Sequence, residues 1–159
     1  MKVLCFVGWS GSGKTTLVER LLPRLAEGGR KVGYLKTDAH GFTMDKEGKD
    51  TARLFDAGAP IVSIIGPDEV AIRMRHPERF ALQELLDLVY TECDLVLVEG
   101  AKRSDYPMIE VVRGDPAVPG TPSHLLALVN AADDPRDLPR FDRDDIEGIA
   151  QFVEQQVLA

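Results

Sequence analysis

The segment from Gly8 to Thr16 constrains the fold of this chain more than any other. It reads G-W-S-G-S-G-K-T-T and fits G-x-x-x-x-G-K-[ST], the pattern of a loop that binds nucleotide phosphates. The preceding run K-V-L-C-F-V predicts a short buried strand, and the apolar residues after Thr15 recur at helical spacing. A strand, a glycine-rich loop and a helix in this order predict a nucleotide-binding site at the loop.

The residue types in this loop suit the phosphates of a nucleotide. Glycines let the backbone approach an anion closely, so that successive N–H groups surround it. Lys14 supplies a positive charge for the β- and γ-phosphates, and the Thr15 hydroxyl is suited to Mg²⁺. A glycine-rich turn that binds nothing is the alternative interpretation. The predicted phosphate-binding residues are Gly8, Ser10, Gly11, Ser12, Gly13, Lys14, Thr15 and Thr16.

Two acids at the ends of predicted strands are candidates for binding a metal ion. Glu99 ends the run D-L-V-L-V-E, and Asp38 follows the second predicted strand. Carboxylates at the carboxyl ends of parallel strands reach the same edge of a sheet and suit Mg²⁺. We predict a Mg²⁺ site formed by Thr15, Glu99 and Asp38, with a strand cap or a solvated loop acid as the alternative for each acid. His40 and Asp45, in the loop after Asp38, are further candidates for this site.

The segment N-A-A-D at 130–133 follows the last apolar run. Many guanine-nucleotide proteins carry N-K-x-D at this place. The Asp carboxylate there accepts hydrogen bonds from guanine N1–H and the exocyclic amine, and leaving it unpaired with adenine is costly. Asn130 and Asp133 have the required spacing, but Ala131 replaces the Lys that usually packs there. We predict that Asn130 and Asp133 recognise guanine, and hence that GTP binds; a capped turn is the alternative.

The acidic composition bears on partners and location. The chain has 159 residues, a formal net charge of −7 and a pI near 5.0, which disfavours nucleic acid or an anionic membrane as the main partner. No apolar run is long enough to span a bilayer, and Met1-Lys2 leads directly into the first strand, which leaves no room for a signal peptide. Cys5 and Cys93 are expected to be core thiols. We therefore expect a cytoplasmic protein.

The order of the predicted elements favours an α/β fold, because apolar runs typical of buried strands alternate with helical patterns. A hairpin at 61–65 and 70–74 is expected to add antiparallel strands to the sheet, and a helix is expected from Pro77. Acids at 142–145 offer an N-cap for a final helix. The prediction is a single P-loop domain over 1–159, of the P-loop NTPase class: a mostly parallel sheet with helices on both faces, in three αβα layers.

Four segments between Gly8 and Lys102 are informative because of their order along the chain. They read G-W-S-G-S-G-K-T-T, M-D-K-E-G-K-D-T-A-R-L, D-A-G-A and V-L-V-E-G-A-K. Together they resemble the family of molybdopterin-guanine dinucleotide biosynthesis protein B (MobB). The resemblance implies a GTP-binding, Mg²⁺-dependent homodimer. It also implies that the protein assists the guanylyltransferase MobA, which joins GMP to molybdopterin to make the guanine dinucleotide form of the molybdenum cofactor.

The chain departs from the family pattern at two places. Family members often have a His-rich segment after the second strand, typically beginning Lys-His, whereas K-T-D-A-H at 36–40 holds one His. The usual E-G-F-K has Ala101 in place of the aromatic residue. The first departure weakens any role for imidazole groups in binding or catalysis.

Three functions remain open from the sequence. The first is a GTP-binding accessory protein with weak GTPase activity, since neither an acceptor site nor a catalytic base stands out. The second is a small P-loop kinase for a nucleoside or metabolite, for which Arg73, Arg75 and Arg79 are candidate phosphate-binding arginines. The third is a metal-delivering GTPase, which is the least favoured because imidazole and thiol groups are few.

Overall fold

A six-stranded sheet forms the centre of the larger of two units into which the chain folds. The computed structural model describes residues 1–38, 41–44, 46, 48–75 and 81–159. The larger unit comprises Met1–Thr37 and Val89–Ala159, and the smaller unit comprises Asp38–Leu88. The sequence-based expectation of a single domain over residues 1–159 stays a prediction.

The large sheet is parallel throughout. The strands are β1 (Lys2–Val7), β2 (Val32–Lys36), β3 (Ile61–Ile65), β4 (Val70–Met74), β5 (Leu95–Glu99), β6 (Met108–Val111), β7 (Leu125–Val129) and β8 (Arg140–Phe141). The α-helices are α1 (Lys14–Leu25), α2 (Asp50–Asp56), α3 (Leu82–Val89) and α4 (Ile146–Val153). The sheet has the order β2-β5-β1-β6-β7-β8, and its neighbouring strands all pair in parallel. The predicted α/β class, a mostly parallel sheet with helices as in P-loop NTPases, is confirmed.

Hydrophobic burial fixes α1 and α4 against the large sheet. Strands β1, β5 and β7 are nearly continuous apolar runs, as expected for parallel strands buried on both faces. Leu4 and Phe6 of β1 share one buried cluster with Leu21 of α1 and Ile149 of α4. Complete burial of such a side chain contributes roughly 1.5–3 kcal/mol. The cluster therefore holds α1, and the loop that precedes it, at a fixed place on the sheet.

The helix ends follow from local chemistry. Helix α1 continues through Pro23 and ends at Leu25, shortly before the glycine pair at 28–29. A short 3₁₀ turn, Glu27–Gly29, follows the helix. Helix α4 begins as predicted, because Asp145 is its N-cap and accepts a hydrogen bond from the Gly148 N–H at 2.9 Å.

The hairpin is formed, but not where the sequence placed it. Strands β3 and β4 pair in antiparallel orientation, as predicted. The prediction that they extend the large sheet is wrong, because they form a separate two-stranded sheet in the smaller unit. A short turn lets neighbouring strands pair at small entropic cost, whereas side-chain alternation does not encode which sheet a hairpin joins. Strand β8 was also missed, because two residues carry no periodicity.

The helix expected from Pro77 begins near a gap in the description. Helix α3 starts at Leu82 and buries Leu86. Residues 76–80, and with them the predicted start at Pro77, lie outside the described residues. In the described part of the chain, no helix is long and apolar enough to cross a membrane.

A buried ionic network anchors the loop that follows β7. Arg136 donates hydrogen bonds to Asp134 from Nε at 2.8 Å and from Nη2 at 2.6 Å, and to Glu110 from Nη1 at 2.6 Å. Glu110 is fully buried in β6 and also accepts hydrogen bonds from the N–H groups of Ala117 and Val118. Removing one partner of such a network leaves a buried charge unpaired, at a typical cost of ~3–5 kcal/mol. The network therefore ties β6 to the loops after β6 and β7.

This network predicts a loss of stability in acid. The hydrogen bonds from Arg136 lower the pKa of Asp134 to about 2, below the value of about 3.9 for an unfolded Asp. The stabilisation is therefore complete above about pH 4 and is lost as the pH falls toward 2. The free energy of unfolding, measured by urea titration from pH 5 to 2, should fall more steeply for the parent than for Asp134→Asn. The exposed acid at Asp137 supplies a control, Asp137→Asn, which should follow the parent. Equal slopes for the parent and Asp134→Asn would contradict the assignment.

Candidate functional site

The glycine-rich loop at 8–13 connects β1 to α1 at the carboxyl edge of the large sheet. Because the strands of this sheet are parallel, their carboxyl ends meet at this edge. Glu99 is the last residue of β5, Arg113 lies shortly after β6, and Asn130 directly follows β7. The loop is therefore flanked by polar side chains from neighbouring strands.

All three glycines of the loop have backbone conformations that other residues rarely adopt. Gly8 has φ 147° and Gly13 has φ 96°. A Cβ at Gly8 would press on the carbonyl oxygen of Val111 and lie 2.8 Å from Ser12 Oγ. Gly13 is the N-cap of α1, whose first N–H groups have no partner within the helix. Unpaired N–H groups at a helix N-terminus suit an anion, and phosphate binding by residues 8–16 stays a prediction.

Lys14 folds back over the loop that precedes it. Its Nζ donates hydrogen bonds to the carbonyl oxygens of Gly8, at 3.0 Å, and Trp9, at 2.9 Å. Burial lowers the pKa of Lys14, and the nearby Glu99 carboxylate partly offsets this effect. The ammonium group is thus held against the loop by two acceptors that a phosphate oxygen could replace.

Glu99 accepts hydrogen bonds from two hydroxyl groups beside the loop. Its Oε2 is 2.7 Å from Thr15 Oγ1 and 2.8 Å from the Tyr34 hydroxyl, and Lys36 Nζ is 3.7 Å from its Oε1. Glu99 is 6% exposed, so its charge depends on these partners. The structure thus brings together Thr15 and Glu99, two of the three residues of the predicted Mg²⁺ site, and metal binding stays a prediction. Their oxygen atoms fit Mg²⁺, which takes one or two protein ligands together with phosphate oxygens.

Tyr34 is a residue of this site that sequence reasoning missed. It lies within β2, directly beside Leu97 of β5, and its hydroxyl donates to Glu99. Burial, followed by the hydrogen bond to Glu99 and its charge, raises the pKa of Tyr34 to about 12. The phenol therefore stays neutral and remains a donor at physiological pH. No local sequence signal marked Tyr34, because its contact with Glu99 depends on the pairing of β2 with β5.

Cationic side chains from two neighbouring loops also approach the glycine-rich loop. Arg113 Nη1 donates a hydrogen bond to the Gly11 carbonyl oxygen at 3.0 Å. Lys102 Nζ lies 4.8 Å from the centroid of the Trp9 ring, and the Trp9 indole N–H donates to the Asp115 carbonyl oxygen at 2.8 Å. Two positive charges thus lie beside the loop of an acidic protein, which suits a polyphosphate ligand.

The hydroxyl group of Ser12 provides a test of whether a nucleotide fits. Ser12 is 8% exposed, and its Oγ has no hydrogen-bond partner within the described residues. A buried polar group without a partner costs roughly 1–3 kcal/mol. Ser12 lines a cleft together with Thr16, Asn130 and Arg143. A nucleotide on the loop would bring hydrogen-bonding atoms to this hydroxyl, so the residues present fit such a ligand.

The remaining predicted site residues are Asn130, Asp133, Asp38, His40 and Asp45. Asn130 has a left-handed backbone with φ 59°, and its Nδ2 donates to the carbonyl oxygen of the residue after β6 at 3.3 Å. Asp133 is exposed, and recognition of guanine by either residue stays a prediction. Asp38 belongs to the smaller unit, so its part in a metal site also stays a prediction. His40 and Asp45 lie outside the described residues.

Comparison with known sequences finds one family over most of the chain. The model of the family described as "Molybdopterin guanine dinucleotide synthesis protein B" matches residues 3–131. A molybdopterin-guanine dinucleotide biosynthesis adapter protein of Escherichia coli (strain K12) is 32% identical over 162 aligned positions, with 95% of this chain and 90% of the relative covered. The protein of the same name from Haemophilus influenzae is 36% identical, with 96% and 87% covered.

Solved structures show the same likeness. The crystal structure of Bacillus subtilis MobB has a TM-score of 0.80 to this chain at 28% identity, with 99% of this chain and 98% of that chain covered. A MobB homologue from Bacillus stearothermophilus has a TM-score of 0.77 at 25% identity, with 98% and 97% covered. The similarity therefore extends over nearly the full length of the chain.

The position of Lys14 predicts a strong effect of its removal on nucleotide binding. Lys14→Ala should weaken the binding of a Mg²⁺–nucleoside triphosphate by about 10- to 150-fold, because charge-assisted contacts are worth roughly 1.5–3 kcal/mol. Isothermal titration calorimetry measures the affinity. Lys31→Ala is a charge-matched control, since Lys31 is exposed and pairs with Glu92 on the surface. If Lys14→Ala bound the nucleotide as tightly as the parent, the loop would not be the phosphate site.

Proposed function

Because the chain belongs to the molybdopterin guanine dinucleotide synthesis protein B (MobB) family, we propose that it is a GTP-binding accessory protein of molybdenum cofactor biosynthesis. In this role it assists the guanylyltransferase MobA, which joins GMP to molybdopterin. The adapter role in the names of its relatives supports the proposal. The same proposal places the protein in the cytoplasm, where GTP is available.

The hydrogen bond between Thr15 and Glu99 is the observation that carries the proposal. It joins the hydroxyl after the glycine-rich loop to the carboxylate that ends β5, at 2.7 Å. A Mg²⁺ ion held by these two residues would neutralise charge on the phosphates of GTP. Lys14 then contacts phosphate oxygens, and the free hydroxyl of Ser12 gains a partner. The arrangement thus supports binding of Mg²⁺–GTP.

The same contacts support slow turnover of the nucleotide. Glu99 is already engaged by Thr15 and Tyr34, so in this proposal it serves the metal ion and does not activate a water molecule. A phosphate and metal site without a positioned base hydrolyses nucleotide slowly, and added catalytic groups raise such rates by large factors. The protein is therefore at most a weak GTPase, and its role is to present bound GTP, or a surface ordered by GTP, to MobA.

Exposed apolar side chains on the β3–β4 hairpin support the homodimer that the family implies. Ile64 and Ile65 point to opposite faces of the hairpin and are 59% and 81% exposed, and Ile72 of β4 is 64% exposed. A two-stranded sheet is at best marginally stable by itself in water, and exposed apolar patches mark interfaces. In the proposed dimer a second copy of the chain covers this surface. A monomer mass in sedimentation equilibrium at micromolar concentration would contradict the dimer.

The proposal predicts a preference for GTP over ATP. Asp133→Asn should weaken the binding of GTP by about 10- to 150-fold, because charge-assisted hydrogen bonds to guanine are lost. The affinity for ATP should stay nearly unchanged. Calorimetric titration with both nucleotides in Mg²⁺ measures the effect. Asp137→Asn, which changes an exposed acid in the same loop, is the matched control. Equal affinity of the parent for GTP and ATP would favour a kinase instead.

Reconstitution tests the accessory role itself. The reaction contains MobA, molybdopterin carrying molybdenum, limiting GTP and Mg²⁺, with or without this protein. The yield of the guanine dinucleotide cofactor should rise when the protein is present, and Lys14→Ala should give less, because it delivers less GTP. An unchanged yield, together with fast phosphoryl transfer to a small metabolite, would refute the role and support the kinase.

A further inference from the structure

The turn between β8 and α4 carries an arginine whose charge is not paired within the described structure. Asp142, Asp144 and Asp145 flank Arg143 in the sequence, yet each of these acids has another partner. Asp142 Oδ1 accepts a hydrogen bond from the Asp144 N–H at 2.8 Å, and Asp145 caps α4. Asp144 Oδ1 pairs with Arg20 Nη1 at 2.6 Å. The Arg143 guanidinium group therefore has no carboxylate partner in the described part of the chain.

The side chain of Arg143 extends toward the glycine-rich loop. A Cβ built at Gly13 would lie 3.8 Å from Arg143 Nη2. Arg143 also lines the same cleft as Ser12, whose buried hydroxyl has no hydrogen-bond partner within the described residues. Arg20 of α1 fixes the turn, since its Nη1 approaches the Arg143 carbonyl oxygen at 3.4 Å. Arg143, with its unpaired charge, and Ser12, with its unpartnered hydroxyl, thus line the same cleft beside the N-terminus of α1.

The loop after β7 lacks the cation that guanine-nucleotide proteins usually have there. The Lys of N-K-x-D is replaced by Ala131, which is 5% exposed and packs into the protein. Strands β7 and β8 are parallel neighbours, so the loops after them reach the same edge of the sheet. Asn130 from the first loop and Arg143 from the second line the same cleft. The second loop therefore brings a cation to the cleft, to which the first loop contributes Asn130.

We propose that Arg143 forms a wall of the nucleoside-binding part of the site, in place of the missing Lys. The inference rests on the proposed function, because it requires a nucleotide on the glycine-rich loop. A planar guanidinium group stacks on an aromatic base, and its N–H groups donate to sugar oxygens. Ser12 and Asn130 add polar groups to the same cleft. Arg143 is thus a positioning residue for the sugar and base, whereas Lys14 serves the phosphates.

A comparison of GTP with inorganic tripolyphosphate tests this division. Tripolyphosphate has the phosphate chain of GTP but neither sugar nor base. In calorimetric titrations, Arg143→Ala should weaken the binding of Mg²⁺–GTP about 5- to 30-fold. Its affinity for tripolyphosphate should stay within about twofold of that of the parent. Lys14→Ala should weaken the binding of both ligands. Lys31→Ala removes the same charge just before β2, at the opposite edge of the sheet, and should change neither.

The outcomes separate this inference from the function on which it rests. Equal weakening of both ligands in Arg143→Ala would indicate a phosphate contact and overturn the proposal, as would unchanged GTP affinity in a folded variant. Arg143→Lys keeps the charge and loses the planar group, so it should bind GTP with intermediate affinity. If the parent binds GTP and Arg143→Ala binds it equally well, the inference fails alone. If the parent does not bind GTP, the proposed function fails with it.

Discussion

The hydrogen bond between Thr15 and Glu99 joins the first turn of α1 to the carboxyl end of β5, and the site depends on it. It requires the register in which Phe6 of β1 lies beside Glu99, and the buried cluster that seats α1 on the sheet. Tyr34 adds a second donor from β2, so two strands and one helix meet at one carboxylate. Because Glu99 is almost fully buried, loss of these partners would leave its charge costly to keep.

The part of the site next to β7 and β8 depends on a buried ionic network. The network of Glu110, Arg136 and Asp134 holds the loop after β7 against β6. That loop begins at Asn130, and its end leads into β8 and the turn that carries Arg143. In the described part of the chain, the hydrogen bonds of this network do not reach the glycine-rich loop. It stabilises the backbone on which the proposed nucleoside-binding residues are placed, so a defect there should lower stability first and affinity second.

The sequence predicted the fold class, and it named Thr15 and Glu99 together as candidates for one Mg²⁺ site, because a P-loop motif and a strand-end acid are local patterns with fixed positions in a parallel sheet. Tyr34, Arg113 and Arg136 could not be found in this way. Their roles arise from neighbours far away in sequence, and nothing in their local pattern distinguishes them from exposed residues. The same holds for the hairpin: the sequence predicted its two strands, but it did not predict that they form a separate sheet. Asp133 shows the converse, since its spacing from Asn130 predicts a role in guanine recognition, whereas its side chain is exposed in the structure.

The dependence of GTP affinity on Mg²⁺ tests the central claim most directly. Calorimetric titrations of GTP, with Mg²⁺ and with a chelator, would be made on the parent, on Thr15→Ala and on Glu99→Gln. If the two side chains hold the ion, Mg²⁺ should strengthen GTP binding to the parent, and this gain should fall toward zero in each variant. The variant with both changes should lose little more, because the residues act as one unit. An undiminished gain from Mg²⁺ in Glu99→Gln would contradict the account.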